Sequence, residues 1–388
     1  MTTRELLEVL QRGEDSQHQF KRIINHESEL AEDFVAFSNG KGGQIFVGVT
    51  DDSTVKGLTV SEIADLNKRI SNAASQFVRP AINPTTENIT TPSGVVSVID
   101  VPSGINKPYM DKDGVFWVKS GADNRRATSR EEIQRMFQRS GLIHADETPV
   151  SDTAADSIEP LYFSSFCQTH YDVDIQAATI PFPQLLKNLN LLADSGELNM
   201  AGMLLFGKKS LLRLPVFVVK AAAFPGESAS VDTYLDSRDF DGRLAEQFDA
   251  TIAFLANNTR TYQNGRSVNS LGEPEIPRVV WEELVANALV HRDYFISAPV
   301  RVFVFSDRVE IISPGHLPNH LTVENIKAGN SNIRNPIIAS FAAKILPYKG
   351  LGSGILRALK AYSHIDFIDD RDGNQFKVIV KRPPPILG

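Results

Sequence analysis

Apolar positions recur along the chain in three blocks separated by polar, turn-rich stretches. In the first block Leu30, Phe34 and Phe37 keep the i, i+4, i+7 spacing of one helix face, and Asn39-Gly40-Lys41-Gly42-Gly43 ends that helix. Gln44 to Val49 is a short apolar run with β-branched residues, which predicts a buried strand, and Thr50 to Ser53 supplies the next turn. Ile63, Leu66, Ile70 and Phe77 pattern a second helix, and strands are expected near 95–101 and 115–119. Ser129 with Glu132 three residues on is a capping box that opens a helix with the core face Ile133, Met136 and Phe137. In the middle block Leu185, Leu186, Leu189 and Leu192 form a helical stripe stopped by Gly196. Met200 to Gly207 is apolar, Pro215 to Val219 reads as a buried strand, and a helix is expected from about Leu244 to Leu255. The third block has a helix over Pro277–Tyr294 and strands over Val300–Phe305 and Arg308–Ile312 around a Ser306-Asp307 turn. A further helix follows, from Ile355 to Tyr362.

His144 to Pro160 carries two Pro and five Asp/Glu with few large apolar residues and reads as a linker. A second change falls around Asn264 to Pro277. The expected organisation is therefore a domain over 1–143, a linker over 144–159, a middle domain over 160–274 and a C-terminal domain over 275–388, consistent with 388 residues at roughly 100–200 per domain. A hydrophobic content of 42% and a charged content of 22% are those of a globular protein and exclude wholesale disorder or a fibrous chain. Forty Lys+Arg against 47 Asp+Glu leave a net charge of −7, and residues 1–140 alone carry −2, so a nucleic-acid surface has to be a local patch. The single Cys167 excludes an internal disulfide framework and a Cys-rich zinc site, and reads as a buried structural thiol. No apolar run approaches the ~20 residues of a membrane span, and the polar first helix lacks the core of a signal peptide. A cytoplasmic protein without a membrane is expected.

The most legible chemistry lies in the third block. Glu283, Asn287 and His291 stand four apart on one helix and project from one stripe. A carboxylate can orient water, and an amide oxygen suits a hard cation, so the stripe is a candidate phosphate–Mg²⁺ site. Far downstream, Gly350, Gly352 and Gly354 precede a helix, where exposed backbone N–H groups and the positive end of the helix dipole can hold a phosphate. The middle block shows no clustered catalytic residues.

Two resemblances sharpen this. Phe20-Lys21, Ala36-Phe37-Ser38-Asn39, Gly42-Gly43, Gly48-Val49, Lys56-Gly57 and Trp117-Val118-Lys119-Ser120-Gly121 occur in order, and the stretch from about Glu14 to Arg139 resembles the Schlafen-type AlbA-like domain, a DNA-binding class in bacteria. That resemblance, with the phosphate chemistry of basic side chains, makes Lys21, Lys41, Lys107, Lys119, Arg125 and Arg126 candidates for nucleic-acid contact, with DNA favoured over RNA. Phe116 and Trp117 are expected in the strand core. Some Schlafen proteins cleave RNA with three carboxylates and a metal. Here Glu14 matches the first and Asp51 (or Asp52) the third, but Gln19 stands at the second, and losing one anion weakens a divalent site.

Glu283-x-x-x-Asn287-Ala288, His291-Arg292-Asp293-Tyr294, Ser313-Pro314-Gly315, Arg334-Asn335-Pro336 and Gly350 to Gly354 also occur in order. They resemble the divergent GHKL-type ATPase module at the C-terminus of RecG-like bacterial transcriptional regulators. By that resemblance Asn287 binds Mg²⁺, Glu283 activates water, and Gly352 and Gly354 line the triphosphate of ATP. His291, Asp293, Ser313, Gly315, Arg334, Asn335 and Gly350 complete the site. Ser313 stands where well-characterised GHKL proteins place the Asp that takes the adenine amino group; a hydroxyl accepts that bond without charge. Only six residues follow Arg382, so no C-terminal winged helix is expected.

The fold expected is α+β: a mixed-sheet Schlafen/AlbA-like N-terminal domain, an α/β connector of structural role, and a GHKL-like α/β sandwich. The function expected is that of a nucleic-acid- and ATP-binding regulator, a homo-oligomer in which nucleotide biases assembly or DNA engagement. The alternatives are a Schlafen-like metal-dependent RNase and a self-assembling phage-defence scaffold with vestigial sites.

Overall fold

The computed structural model describes residues 1–177, 179–208, 210–229, 233–263, 272–318, 321–350 and 352–384, without the side chains of Arg139, Ser210 and Leu211. Asn264–Leu271 of the second expected boundary and Leu351 of the glycine bend lie outside the described residues. The fold is α+β, and the chain divides into two units, Met1–Leu142 and Ile143–Gly388.

In the first unit α1 (Thr3–Arg12) leads to β1 (His18–Lys21), α2 (Glu27–Asn39), β2 (Gly42–Val47) and α3 (Val60–Asn72). The short β3 (Val78–Arg79), the long strands β4 (Thr85–Thr91) and β5 (Gly94–Pro102), the short β6 (Met110–Asp111), β7 (Trp117–Ser120), β8 (Asp123–Arg126) and α4 (Arg130–Arg139) complete it. The main sheet has the order β1-β2-β5-β4, with β1 parallel to β2 and the other pairs antiparallel. Strand side chains alternate between faces, which explains why 45–49 reads as continuously apolar. Ile45 and Val47, with Ile99 and Val101, pack under α2, while Phe46, Val96 and Val98 pack with Leu6 and Leu10 of α1. Both faces are covered, so both sets of positions are apolar. Ser129 caps α4 as expected, its Oγ accepting from Glu132 N at 3.0 Å.

The second unit begins in the stretch read as a linker, and that stretch is packed. Asp146 Oδ2 accepts from the N–H groups of Ile337 and Ile338 (2.8 and 3.0 Å), and Ala145, Val150 and Ile158 enter the core. Then follow α5 (Pro160–Tyr171), α6 (Phe182–Asn188), α7 (Met200–Phe206), the single turn α8 (Ser210–Arg213), β9 (Val219–Ala223), β10 (Asp236–Phe240) and α9 (Leu244–Asn258). A small ribbon of β11 (Thr261–Tyr262) and β12 (Glu273–Pro274) precedes α10 (Arg278–His291), β13 (Val300–Val304) and β14 (Arg308–Pro314). After these come α11 (Val323–Lys327), α12 (Pro336–Ile345), α13 (Ser353–Ala361), β15 (Ile365–Asp370) and β16 (Gln375–Lys381). One six-stranded sheet, β10-β9-β13-β14-β16-β15, takes two strands from 160–274 and four from 275–388, with β9 and β13 paired in parallel. The middle and C-terminal segments thus share one sheet and one core; β9 and β10 alone would be a two-stranded ribbon, which is marginal in water.

Two local expectations shift. The leucine stripe stops being helical at Asn188, because Asn190 takes a left-handed φ of 54° and Leu192 bridges Leu198 instead. The strand expected over Pro215–Val219 starts at Val219: Pro215 has no N–H to donate, and Leu214 to Phe217 turn on a 3.2 Å bond from Phe217 N to Leu214 O. Cys167 is buried as expected, and burial pushes its thiol up to about 11. Among the described residues no helix is long and apolar enough to cross a membrane.

Candidate functional site

Helix α10 is apolar nearly all round, and Val280, Trp281, Leu284, Val285, Leu289 and Val290 are buried. An evenly apolar helix belongs in the middle of a core, and α10 packs between α9 and α13 over β14. Its polar stripe is the exception, and it faces α13. Gly354, in the first turn of α13, makes that approach close: a Cβ there would lie 2.4 Å from Glu283 Oε2 and 3.2 Å from Asn287 Nδ2. Gly352 caps α13 with φ 70°, and a Cβ on it would lie 2.1 Å from Gly329 O. The bend therefore needs glycine both for its left-handed backbone and for its contacts.

Between α10, the bend and the end of β14 lies a cleft of about 1030 Å³ of empty space, its open mouth included. Glu283, Asn287, His291, Ser313, Gly315, Gly350, Gly352 and Gly354 all line it. Asn287 Nδ2 donates to Glu283 O at 2.6 Å, and Ser313 Oγ donates to Ala288 O at 3.1 Å. The side-chain oxygen of Asn287 and the lone pairs of Ser313 remain acceptors. His291 Nε2 meets Tyr348 Oη at 2.9 Å, and burial with the nearby Arg334 pushes its imidazole down to about 4, so it is neutral at pH 7. Burial raises the pKa of Glu283, while Arg357 and Lys349 oppose the rise.

Asp293, Arg334 and Asn335 are not on the cleft wall; they hold the backbone behind it. Asp293 Oδ1 accepts from Phe295 N at 2.9 Å, and its own N–H donates to Pro314 O at 2.8 Å. Arg334 Nη2 donates to His316 O at 2.8 Å. Asn335 is fully buried, and its Nδ2 donates to Val290 O and Arg292 O, both at 2.9 Å, closing the C-terminal end of α10. The sequence reading missed other parts of the cleft. They are Arg357 paired with Glu283, Tyr348 on His291, Lys349, the loop 330–332, and an apolar wall of Ile311, Phe367, Phe376 and Val378. Arg357 was within reach of pattern reasoning, since it stands three residues after Gly354 on the same helix face.

In the first unit, five of the six candidate basic residues engage the unit's own groups. Lys21 Nζ lies 3.7 Å from the carboxylate of Asp33, which is fully buried and whose pKa burial raises against Lys21 and Asn124. Lys119 donates to Gln19 Oε1 at 2.7 Å and to Ala122 O, with its ammonium 4.9 Å from the centre of the Phe37 ring. Lys107 donates to Gly40 O at 2.5 Å, Arg125 makes two bonds to Glu132, and Arg126 stacks over Trp117 at 5.0 Å. Lys41 is exposed beside Gly42 and Gly43, with no side-chain partner among the described residues. Glu14 accepts from Gln19 Nε2 and Phe20 N (2.8 and 2.6 Å), and Asp51 lies exposed in its turn. Phe116 packs edge-on against Phe137, and Trp117 is buried. Among the described residues, no three His, Cys, Asp or Glu side chains are grouped to hold a metal ion.

Residues 14–128 match the family described as Schlafen, AlbA_2. Residues 297–380 match the family described as "Putative ATP-dependent DNA helicase recG C-terminal", a span that holds Ser313, Gly315, Arg334, Asn335 and the glycine bend but not α10. No curated protein matches the chain. Among solved structures, the DIP2311 protein from Corynebacterium diphtheriae is 21% identical with a TM-score of 0.47, covering 99% of this chain and 82% of that one. The N-terminal domain of a RecG-related protein from Nitrosomonas europaea is 20% identical with a TM-score of 0.23, covering 34% and 96%. The chain carries a Schlafen AlbA_2 domain at its N-terminal end and a RecG-like ATPase-type domain at its C-terminal end.

Proposed function

We propose that this protein is a cytoplasmic, homo-oligomeric regulator that binds nucleic acid through its first unit and ATP–Mg²⁺ in the cleft of its second. The observation that carries the nucleotide reading is that Glu283 and Asn287 share one cleft with the glycine bend at 350–354 and with Ser313, although these lie far apart in the chain. The donor set fits the ligand. Asn287 spends its Nδ2 on α10 and keeps its amide oxygen for a hard cation; Mg²⁺ needs few protein ligands when phosphates and water supply the rest. The bend offers backbone N–H groups where a side chain would collide, Lys349 and Arg357 bring positive charge, and the wall of Ile311, Phe376 and Val378 suits a planar base. Ser313, its hydrogen committed to Ala288 O, accepts from the base's amino group. Bound there, the nucleotide supplies a phosphoanhydride and a divalent charge. The chain's own contribution to hydrolysis is Glu283, which orients water and takes its proton once Arg357 releases it.

Nucleic-acid contact rests on the AlbA_2 match and on Lys41 with the neighbouring Gly42-Gly43 backbone, because a phosphate can reach these without breaking an internal pair. The test is thermal melting with saturating Mg-ATP, followed by titration of labelled duplex DNA with and without it. The wild type is expected to melt higher by the linkage of binding to folding, and Asn287→Ala to lose that shift; DNA affinity is expected to change with nucleotide. No shift in the wild type would refute the nucleotide reading, and DNA affinity indifferent to Mg-ATP would refute the coupling.

A further inference from the structure

Glu283 is held by the cleft's own arginine. Arg357 Nη2 lies 2.5 Å from Glu283 Oε1, on the helix that begins at the glycine bend. The arginine side chain is about a third exposed and lines the cleft, yet its Nε is buried and has no hydrogen-bond partner. A guanidinium carries five donors in a planar fork that matches the oxygens of a phosphate. One side of this fork is taken by Glu283, and a buried donor is left unmade, which costs free energy until an acceptor arrives. The only other cationic side chain on the cleft wall among the described residues is Lys349, a point charge without the fork.

We propose that Arg357 is the specificity-determining residue that tells a nucleoside triphosphate from a diphosphate in this cleft. Resting on the nucleotide reading above, it assigns Arg357 to the terminal phosphate. Without that phosphate the guanidinium neutralises Glu283 and keeps its carboxylate a weak base. With the phosphate present the fork turns to its oxygens, and Glu283 is released toward water. One residue thereby couples recognition of the third phosphate to the readiness of the base, and a diphosphate leaves the pair closed.

The test is calorimetric titration of the full chain with Mg-ADP and with a non-hydrolysable Mg-ATP analogue. Wild type is expected to bind the triphosphate at least tenfold tighter. Arg357→Gln should lose about 10- to 100-fold in triphosphate affinity, the worth of a charged hydrogen bond or two, and less than about threefold for the diphosphate. Arg357→Lys keeps a cation beside Glu283 and should fold as wild type does while still losing most of the preference. If wild type binds both nucleotides equally, or either variant loses both equally or neither, the inference is overturned while the cleft stands as a nucleotide site. If wild type binds neither, the nucleotide reading itself fails and this inference fails with it.

Discussion

A methyl group added at Gly354 would press within 2.4 Å of the Glu283 carboxylate and 3.2 Å of the Asn287 amide, so these two side-chain ends, one of them paired with Arg357, would have to move. Gly354→Ala is expected to destabilise the second unit by about 1–3 kcal/mol, the ordinary cost of overpacking, and to abolish any melting shift with Mg-ATP. A variant as stable as wild type that still responds to nucleotide would show that the close approach is not part of the site. At this scale the sequence was a good guide to glycines and a poor one to partners. Gly350, Gly352 and Gly354 stand out because their spacing has a backbone cause, and the structure gives Gly350 and Gly352 φ values of 68° and 70°. The Glu283–Arg357 pair could not be read the same way, since 74 positions separate its members and only the packing of α10 on α13 brings them together. The basic residues of the first unit show the same limit: a lysine in sequence looks alike whether it faces solvent, as Lys41 does, or binds a carbonyl, as Lys107 and Lys119 do.

Helix α10 shows how an element can be legible while its supports are not. Its start near Pro277 and its polar stripe follow from spacing. Its C-terminal end is held by a residue from the loop before α12: Asn335 donates to Val290 O and Arg292 O. The resemblance placed Asn335 among nucleotide contacts, whereas the geometry gives it the carbonyls that a helix end leaves unpaired. Asn335→Ala is expected to cost about 1–3 kcal/mol and lower the melting temperature by several degrees, while the folded variant keeps its Mg-ATP response. Loss of that response at unchanged stability would return Asn335 to the ligand. Strands were legible where both faces are covered, as at 45–49. They were blurred where a proline delays the ladder, as at 215–219, and unseen in β15, whose Asp366, Ile368, Asp369 and Asp370 mask a buried face of Ile365 and Phe367.

For the whole molecule, composition and turn-rich stretches suggest boundaries near 143 and 275, while the contacts group the chain as Met1–Leu142 and Ile143–Gly388. The sheet that joins β9 to β13 depends on hydrogen bonds between segments about 80 residues apart, which local pattern does not encode. The account of function depends on the second unit offering a place for a magnesium-bearing triphosphate. The most direct measurement is a crystal structure of the full chain grown with Mg²⁺ and a non-hydrolysable ATP analogue. The account predicts phosphates against the backbone of Gly350 to Gly354, the cation on the Asn287 amide oxygen, and the base against Ile311, Phe376 and Val378 beside Ser313. A nucleotide bound elsewhere, or a cleft still closed by Arg357 on Glu283 at saturating ligand, would contradict it.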